Sequence, residues 1–198
     1  MFKISLGAFV AAIAMFMTGF VFYATPLGMI QYKSAGEVEQ AAVQSALATH
    51  LNTTGTGTYM IPSPSSAEGT VMYGKGPVAT VHYNSKGYST EDVSAMINGF
   101  VQEFIVCLIL GFALSRLDRR IPDFASRAQL VIGFAVAGSA LINLGQPVWM
   151  HQDWTYALYA FVADAIMLAV GGLVIARWFL PTAAEMPLPV QQVQEPAS

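Results

Sequence analysis

The sequence is poor in charge and in cysteine. Only 11% of its 198 residues are charged, and its single cysteine, Cys107, lies within an apolar run. One cysteine cannot form an intrachain disulfide, and a thiol in apolar surroundings is expected to be buried and unreactive. The net charge of -3 is accompanied by no basic tract, so the chain lacks the electrostatic footprint of a nucleic-acid-binding protein.

Motifs for catalysis and cofactor binding are missing as well. The sequence has no G-x-S-x-G turn, and the glycine-rich stretch 74–77 lacks the Lys-Ser/Thr pair of a phosphate-binding loop. Three histidines, His50, His82 and His151, lie outside the apolar runs and match no metal-ligand spacing. We therefore predict no catalytic residue, no metal site and no cofactor. An enzyme that uses His82 or His151 at a membrane surface is the least favoured class.

Long apolar runs dominate what is present. With 55% hydrophobic residues and a mean hydropathy of +0.52, the chain carries more apolar side chain than one small soluble core buries. A membrane helix needs about 20 apolar residues to cross a hydrocarbon core about 30 Å thick. Four stretches meet that length, and they predict an all-α membrane fold, a four-helix transmembrane bundle. The predicted spans are residues 4–24, 93–115, 128–144 and 154–176.

The first span begins like a secretory signal peptide, with Lys3 ahead of an apolar run. A cleavage site needs small residues at its -3 and -1 positions, whereas this run ends in Phe22, Tyr23 and Ala24. We expect a retained anchor, so that residues 1–29 form an N-terminal transmembrane helix and residues 93–180 hold the other three spans.

Arginine placement predicts the orientation. Basic residues cluster around the short connection between the second and third spans, and Lys3 and Arg177 flank the first and fourth spans on the same side. Such clusters remain in the cytoplasm, which predicts a multi-pass protein of the inner or plasma membrane with both termini cytoplasmic. The arginines that set this topology are Arg116, Arg119, Arg120 and Arg127.

Residues 30–92 are polar and are expected to form a small α+β extracytoplasmic domain. Ser34 and Glu37 have the spacing of a capping box, which predicts a helix from Ala35 to about Leu51. Strands are expected at 58–61 and 71–83, with an exposed loop at 62–69, so that one helix packs on a two- or three-stranded sheet. The Pro- and Gln-rich stretch 181–198 is expected to be a disordered cytoplasmic tail.

Two acids interrupt the apolar spans, Glu103 in the second and Asp164 in the fourth. Both lie roughly 12 to 14 Å from the same membrane face, so we expect that they can meet. Neither has a basic partner in the spans, which favours a neutral, hydrogen-bonding carboxyl. Such acids either tie helices together or exchange protons or cations. Amides at Asn98, Gln102 and Asn143 are further candidate polar residues within the spans.

Small side chains mark the helix faces that are expected to pack closely. Ala157, Ala160 and Gly171 share the face of Asp164, which should therefore point to a neighbouring helix. Comparable stripes occur in the other spans: Gly7, Ala11, Ala14 and Thr18 in the first, and Gly133, Ala137 and Ala140 in the third.

These features favour two functional classes. The leading hypothesis is a non-enzymatic accessory or assembly subunit, whose partners are the lipid bilayer and another membrane protein or further copies of the chain. The alternative is a small oligomeric proton-linked transporter or carrier that uses the two intramembrane carboxylates.

Overall fold

The computed structural model describes residues 2–181, and most of them are helical. The predicted tail 181–198 lies outside the described residues apart from Pro181. The elements in chain order are α1 (Phe2–Tyr23), a 3₁₀ helix (Pro26–Gln31), α2 (Glu37–Leu51), β1 (Gly57–Ile61), α3 (Ala67–Lys75), β2 (Ala79–Tyr83), α4 (Val93–Leu117), α5 (Phe124–Ser139), a π-helical segment (Ala140–Leu144), α6 (Gly145–Met150) and α7 (Trp154–Trp178).

Four helices are long and apolar enough to cross a membrane, as a multi-pass membrane protein requires. They are α1, α4, α7 and the continuous helix Phe124–Met150, which joins α5, the π-helical segment and α6. The third helix extends beyond the predicted 128–144 at both ends. At its start, the Asp123 side chain accepts a hydrogen bond from the Ser126 amide at 2.8 Å, and this bond caps the helix and lowers the pKa of Asp123 below its ordinary 3.8.

The chain divides into two compact units, one of them the segment Lys33–Asp92 and the other the rest of the described chain. In the helical unit, α1 and α7 are the central helices: α1 packs against α4 and α7, and α5 packs against α7. The core between them is built mainly from small or flexible side chains, which allow close helix approach. Its fully buried members include Ala8, Ala11, Cys107 and Ile175.

The buried face of α5 differs from the prediction. Gly133 and Ala137 are exposed, and no atom lies within 4 Å of a Cβ built on Gly133. The small-residue stripe expected to pack is therefore wrong for this helix. Val131 packs against Gly172 of α7 instead, so in this contact α7 supplies the small residue. The buried positions follow a four-residue spacing: Arg127, Val131, Ala135 and Ser139.

Within the Lys33–Asp92 unit, β1 and β2 form a two-stranded antiparallel sheet in which Tyr59 pairs with Val81. In β2, Val81 and Tyr83 are half-buried, whereas Ala79, Thr80 and His82 are exposed. Only one face of the sheet is partly covered, which leaves the hairpin with little core of its own.

Helix α2 departs from its prediction in two ways. It begins at Glu37 with Gly36 as N-cap and no side-chain cap, so the capping box of Ser34 and Glu37 is wrong. Ser34 lies two residues too early to be the N-cap, and its hydroxyl donates to the Ala35 carbonyl at 3.2 Å. The helix also buries none of its residues, which contradicts the expected packing of α2 on the sheet.

Helix α3 replaces part of a predicted strand and part of a predicted loop. Ser66 accepts a hydrogen bond from the Gly69 amide at 3.0 Å and so starts a helix inside the 62–69 stretch. The helix ends at Lys75 and is capped by Gly76, whose φ of 67° lies in the region that favours glycine. The strand expected over 71–83 is therefore confined to Ala79–Tyr83, because the caps at Ser66 and Gly76 stabilise a helix over the preceding residues.

Candidate functional site

Asp164 is the centre of a hydrogen-bonded cluster that joins three helical segments. One carboxyl oxygen accepts from the Tyr23 hydroxyl at 2.8 Å, and the other accepts from the Asn143 side-chain amide at 3.0 Å. Tyr23 ends α1, Asn143 lies in the π-helical segment, and Asp164 lies in α7. We name these three residues, together with Ser139, the Asp164 cluster.

The antiparallel packing of α1 on α7 brings Tyr23 and Asp164 together. A Cβ on Gly7 would meet Phe179 and a Cβ on Gly19 would meet Met167, so contacts run in opposite order along the two helices. Side chains in a helix tilt toward its N-terminus. The phenol at the last residue of α1 therefore leans back along α1, while the Asp164 carboxyl leans toward the start of α7, and the two groups converge.

The π-helical segment supplies the second donor. Its residues continue α5 with a wider turn just ahead of Pro147, which has no backbone N–H to give to a regular helix. Asn143 also donates to the Ser139 hydroxyl at 3.1 Å, and Ser139 donates to the Phe161 carbonyl at 2.8 Å. Ser139 is only 1% exposed, so its hydroxyl forms a buried link between α5 and α7.

Tyrosines surround the cluster at the Tyr23 end of the helices. The Tyr159 hydroxyl donates to the Phe22 carbonyl at 2.5 Å, and its ring lies edge-on to Tyr23 at 6.2 Å. The rings of Tyr32 and Tyr156 lie 5.8 Å apart beside them. Each ring places an apolar body against the helices and a hydroxyl near polar groups, as aromatic residues do at membrane boundaries.

Glu103 lies in a different layer from Asp164. A Cβ on Gly19 would lie 3.7 Å from its Oε1 and 2.7 Å from the Met167 methyl, which places Glu103 close to residues one helical turn from Tyr23 and Asp164. Within residues 2–181 no hydrogen bond joins the two acids, and the buried Oε2 of Glu103 has no hydrogen-bond partner. One acid is thus fully paired, and the other keeps an unsatisfied oxygen.

The remaining polar candidates have separate positions. Asn98 and Gln102 are exposed on α4, and their side-chain amides form no hydrogen bond in the described part of the chain. The third amide, Asn143, donates its hydrogen bonds to Ser139 of α5 and Asp164 of α7. The buried Cys107 thiol lies 4.0 Å from the Met15 sulfur, within the core between α1 and α4.

Arg127 has a structural role that the distribution of basic residues in the sequence did not reveal. Its side chain is 3% exposed and donates to three backbone carbonyls, those of Ile121 at 2.7 Å, Asp118 at 3.3 Å and Pro181 at 2.9 Å. The guanidinium therefore joins the α4–α5 connection to the chain that follows α7. The other arginines of the predicted topology set are exposed: Arg116, Arg119 and Arg120.

No protein-family model, no curated protein and no solved structure matches the chain. Among residues 2–181 there is also no group of three or more His, Cys, Asp or Glu side chains that could hold a metal ion. The cluster can hold helices together through Asp164, and Glu103 can bind a proton or cation at its free oxygen.

Sequence reasoning singled out Asp164 and Asn143 but missed Tyr23 and Ser139. From its place at the end of an apolar run, Tyr23 is interpreted as an aromatic residue at a membrane interface, not as a hydrogen-bond donor to Asp164. Serine is common throughout the chain, so Ser139 did not stand out. One signal was present for Ser139: it lies four residues before Asn143, on the same face of the helix.

Proposed function

We propose that this protein is a non-enzymatic membrane protein that acts as an accessory or assembly subunit of a membrane complex. The supporting observation is the exposure of the Lys33–Asp92 unit, in which Gly69 alone is buried. A domain of about 60 residues is already marginal in stability, and one that excludes no side chain from water has almost no core. A partner surface would supply the missing burial.

Apolar side chains on two helices of this unit are available for such a partner. Val38 and Val43 of α2 are 78% and 59% exposed, and Val71 and Met72 of α3 are 56% and 53% exposed. Exposed aliphatic side chains on an unpacked helix are typical of a surface that is covered in an assembly.

The membrane arrangement belongs to the same proposal. The four long helices form a transmembrane bundle in the inner or plasma membrane, with Lys33–Asp92 outside and the connection around Arg119 and Arg120 in the cytoplasm. The exposure of Arg116, Arg119 and Arg120 supports this placement, since all three are free to lie in water. Reporter fusions in the α4–α5 connection test this orientation. If a reporter that functions only outside the cytoplasm is active there, the orientation is contradicted.

Purification in mild detergent, followed by identification of co-eluting chains, tests the accessory role. We expect a foreign membrane protein at fixed stoichiometry, and Val43→Glu and Val71→Glu should lower its recovery. Gln44→Glu is the matched control, because it adds the same charge to an exposed neighbour of Val43 without removing an apolar side chain. Purification of the chain alone, or equal recovery with all three variants, contradicts the proposal.

A proton- or cation-linked transporter is the second candidate, and Glu103 favours it. Its Oε2 is buried without a hydrogen-bond partner among the described residues, whereas a purely structural acid would be expected to be paired. An unsatisfied carboxyl oxygen between apolar helices is a site where a proton or a cation gains most from binding.

Proteoliposomes with an entrapped pH indicator test this candidate. Under an imposed cation gradient, the native chain should move protons, and Glu103→Gln should abolish the movement because an amide cannot exchange a proton. Glu91→Gln, which removes an acid outside the four long helices, is the control. Movement that survives Glu103→Gln contradicts the transporter role of this residue.

A further inference from the structure

Helix α4 carries a continuous exposed seam on the side away from the other helices. The seam positions are separated by four, three, four, three and four residues, which is the heptad spacing of helices that pack in pairs. All six are exposed, and we call them the α4 seam: Asn98, Gln102, Ile105, Ile109, Phe112 and Arg116.

The seam is opposite the face that α4 uses within the chain. Cys107 and Gly111 are buried and lie two residues on either side of Ile109, about 160° around the helix from it. Ile105 and Ile109 are 51% and 63% exposed. Neither α1 nor α7 can therefore cover the seam while α4 keeps its packing.

Two amides make this seam unlike an ordinary lipid-facing surface. Asn98 and Gln102 lie about 8 and 14 Å along α4 from Val93, one turn apart on one face. Neither side-chain amide has a hydrogen-bond partner among the described residues. Hydrocarbon offers amides no hydrogen bonds, so exposed amides in a membrane helix favour association with another polar helix face.

We propose that the α4 seam pairs with the α4 seam of a second copy of this chain, on the premise that α4 crosses the membrane as proposed above. Copies inserted in one direction meet as parallel helices, and a two-fold axis along the membrane normal places each residue opposite itself at the same depth. Only a side chain that both donates and accepts can hydrogen-bond with its own copy, and Asn98 and Gln102 do both.

The rest of the seam suits the same partner. Isoleucines at heptad positions pack across a parallel pair that crosses at about 20°, and an amide at a core position fixes the register. Arg116 ends the seam next to the α4–α5 connection, where two guanidinium groups can separate into water. A foreign helix would need its own polar groups at both amide depths.

Cysteine crosslinking in native membranes tests the pairing. In a Cys107→Ala background, Ile109→Cys on the seam is compared with Ile132→Cys on α5. Both isoleucines are exposed, and both lie eight residues from the helix end that borders the α4–α5 connection, at Leu117 and Phe124 respectively. We expect a crosslinked homodimer with Ile109→Cys and none with Ile132→Cys.

Leucine substitutions test the amides. In liposomes of neutral phospholipid, Asn98→Leu and Gln102→Leu should each raise the dimer dissociation constant about threefold, the average worth of one membrane hydrogen bond. Val101→Leu, at an exposed apolar position beside the seam, should leave it unchanged. Energy transfer between labelled copies, measured on dilution into excess lipid, gives the dissociation constant.

Several results would overturn the pairing: equal crosslinking at both isoleucines, a foreign chain crosslinked at residue 109, or leucine variants that dimerise as the native chain does. Alkaline extraction of the same membranes keeps this outcome separate from the premise. A chain that resists extraction but does not crosslink at residue 109 crosses the membrane without this dimer.

Discussion

Replacing Tyr23 with phenylalanine removes one hydroxyl and leaves the ring that packs edge-on against Tyr159. The lost bond is the 2.8 Å contact from the Tyr23 hydroxyl to Asp164, while the Asn143 contact at 3.0 Å remains. Single hydrogen bonds between membrane helices contribute about 0.6 kcal/mol on average and about 1.7 kcal/mol at most. Because Tyr23 is 41% exposed, water replaces part of the bond, and we expect a loss near 0.6 kcal/mol.

A double-mutant cycle isolates this interaction. Asp164→Leu removes both acceptor oxygens at once, so it should cost more, about 1–3 kcal/mol, since it leaves the Tyr23 hydroxyl and part of the Asn143 amide unpaired. In that background Tyr23→Phe should cost almost nothing. The difference between the two Tyr23→Phe values, about 0.6 kcal/mol, is the coupling energy.

Reversible unfolding in mixed micelles, followed by circular dichroism, measures these free energies. Tyr88→Phe is the control, because Tyr88 is 78% exposed and has no hydrogen-bond partner in the described chain. The reasoning is refuted if Tyr23→Phe matches Tyr88→Phe, or if it costs the same with and without the Asp164 carboxyl.

Three further predictions follow from single contacts. Arg127→Met leaves three backbone carbonyls without their donor and should destabilise the helical unit by about 3 kcal/mol in the same unfolding assay. Arg119→Met, at an exposed position, should have almost no effect. Equal losses of stability in the two variants would contradict the role of Arg127. Gly172→Ala places a Cβ 2.5 Å from a valine on α5 and should cost about 1–3 kcal/mol of stability. Gly133→Ala, with no atom within 4 Å of its Cβ, should be neutral or stabilising. A greater loss of stability at Gly133 than at Gly172 would refute the α5–α7 contact. The Ser126 amide lowers the pKa of Asp123, so the stabilisation from this cap is complete above pH 3.8 and is lost as the pH falls through the lower pKa of the folded state. Amide exchange at the start of α5 should therefore be faster in Asp123→Ala than in the native protein at neutral pH, and the two rates should converge in acid. A difference that does not change with pH would contradict the cap.

The four long helices follow directly from the sequence, because length and apolar content suffice to predict them. Each of the four predicted spans coincides with one long helix, and the differences are confined to the ends. The largest shift is in the third span, where the cap at Asp123 and the π-helical segment extend the helix on both sides. Both are local devices that a hydropathy pattern does not register.

The Lys33–Asp92 unit was less predictable for the opposite reason. Its apolar residues are few and scattered, so no periodic face decides which segments pack. Val71 and Tyr73 favour a strand, yet the N-cap at Ser66 and the C-cap at Gly76 enclose a short helix that contains both. The expected contact between α2 and the sheet needed a buried helix face, and α2 has none.

By itself, the sequence determined that four apolar segments become helices, because backbone groups in hydrocarbon must bond within their own segment. It also determined which acids and amides interrupt them. Only the tertiary structure decided which of those groups are paired. Packing of α1 antiparallel on α7 brings the Tyr23 hydroxyl to Asp164. Packing of α4 on α1 leaves Glu103 without a partner for its Oε2 among the described residues and leaves Asn98 and Gln102 exposed. A hydrogen bond depends on a few ångströms between segments far apart in the chain, and no local pattern encodes that distance.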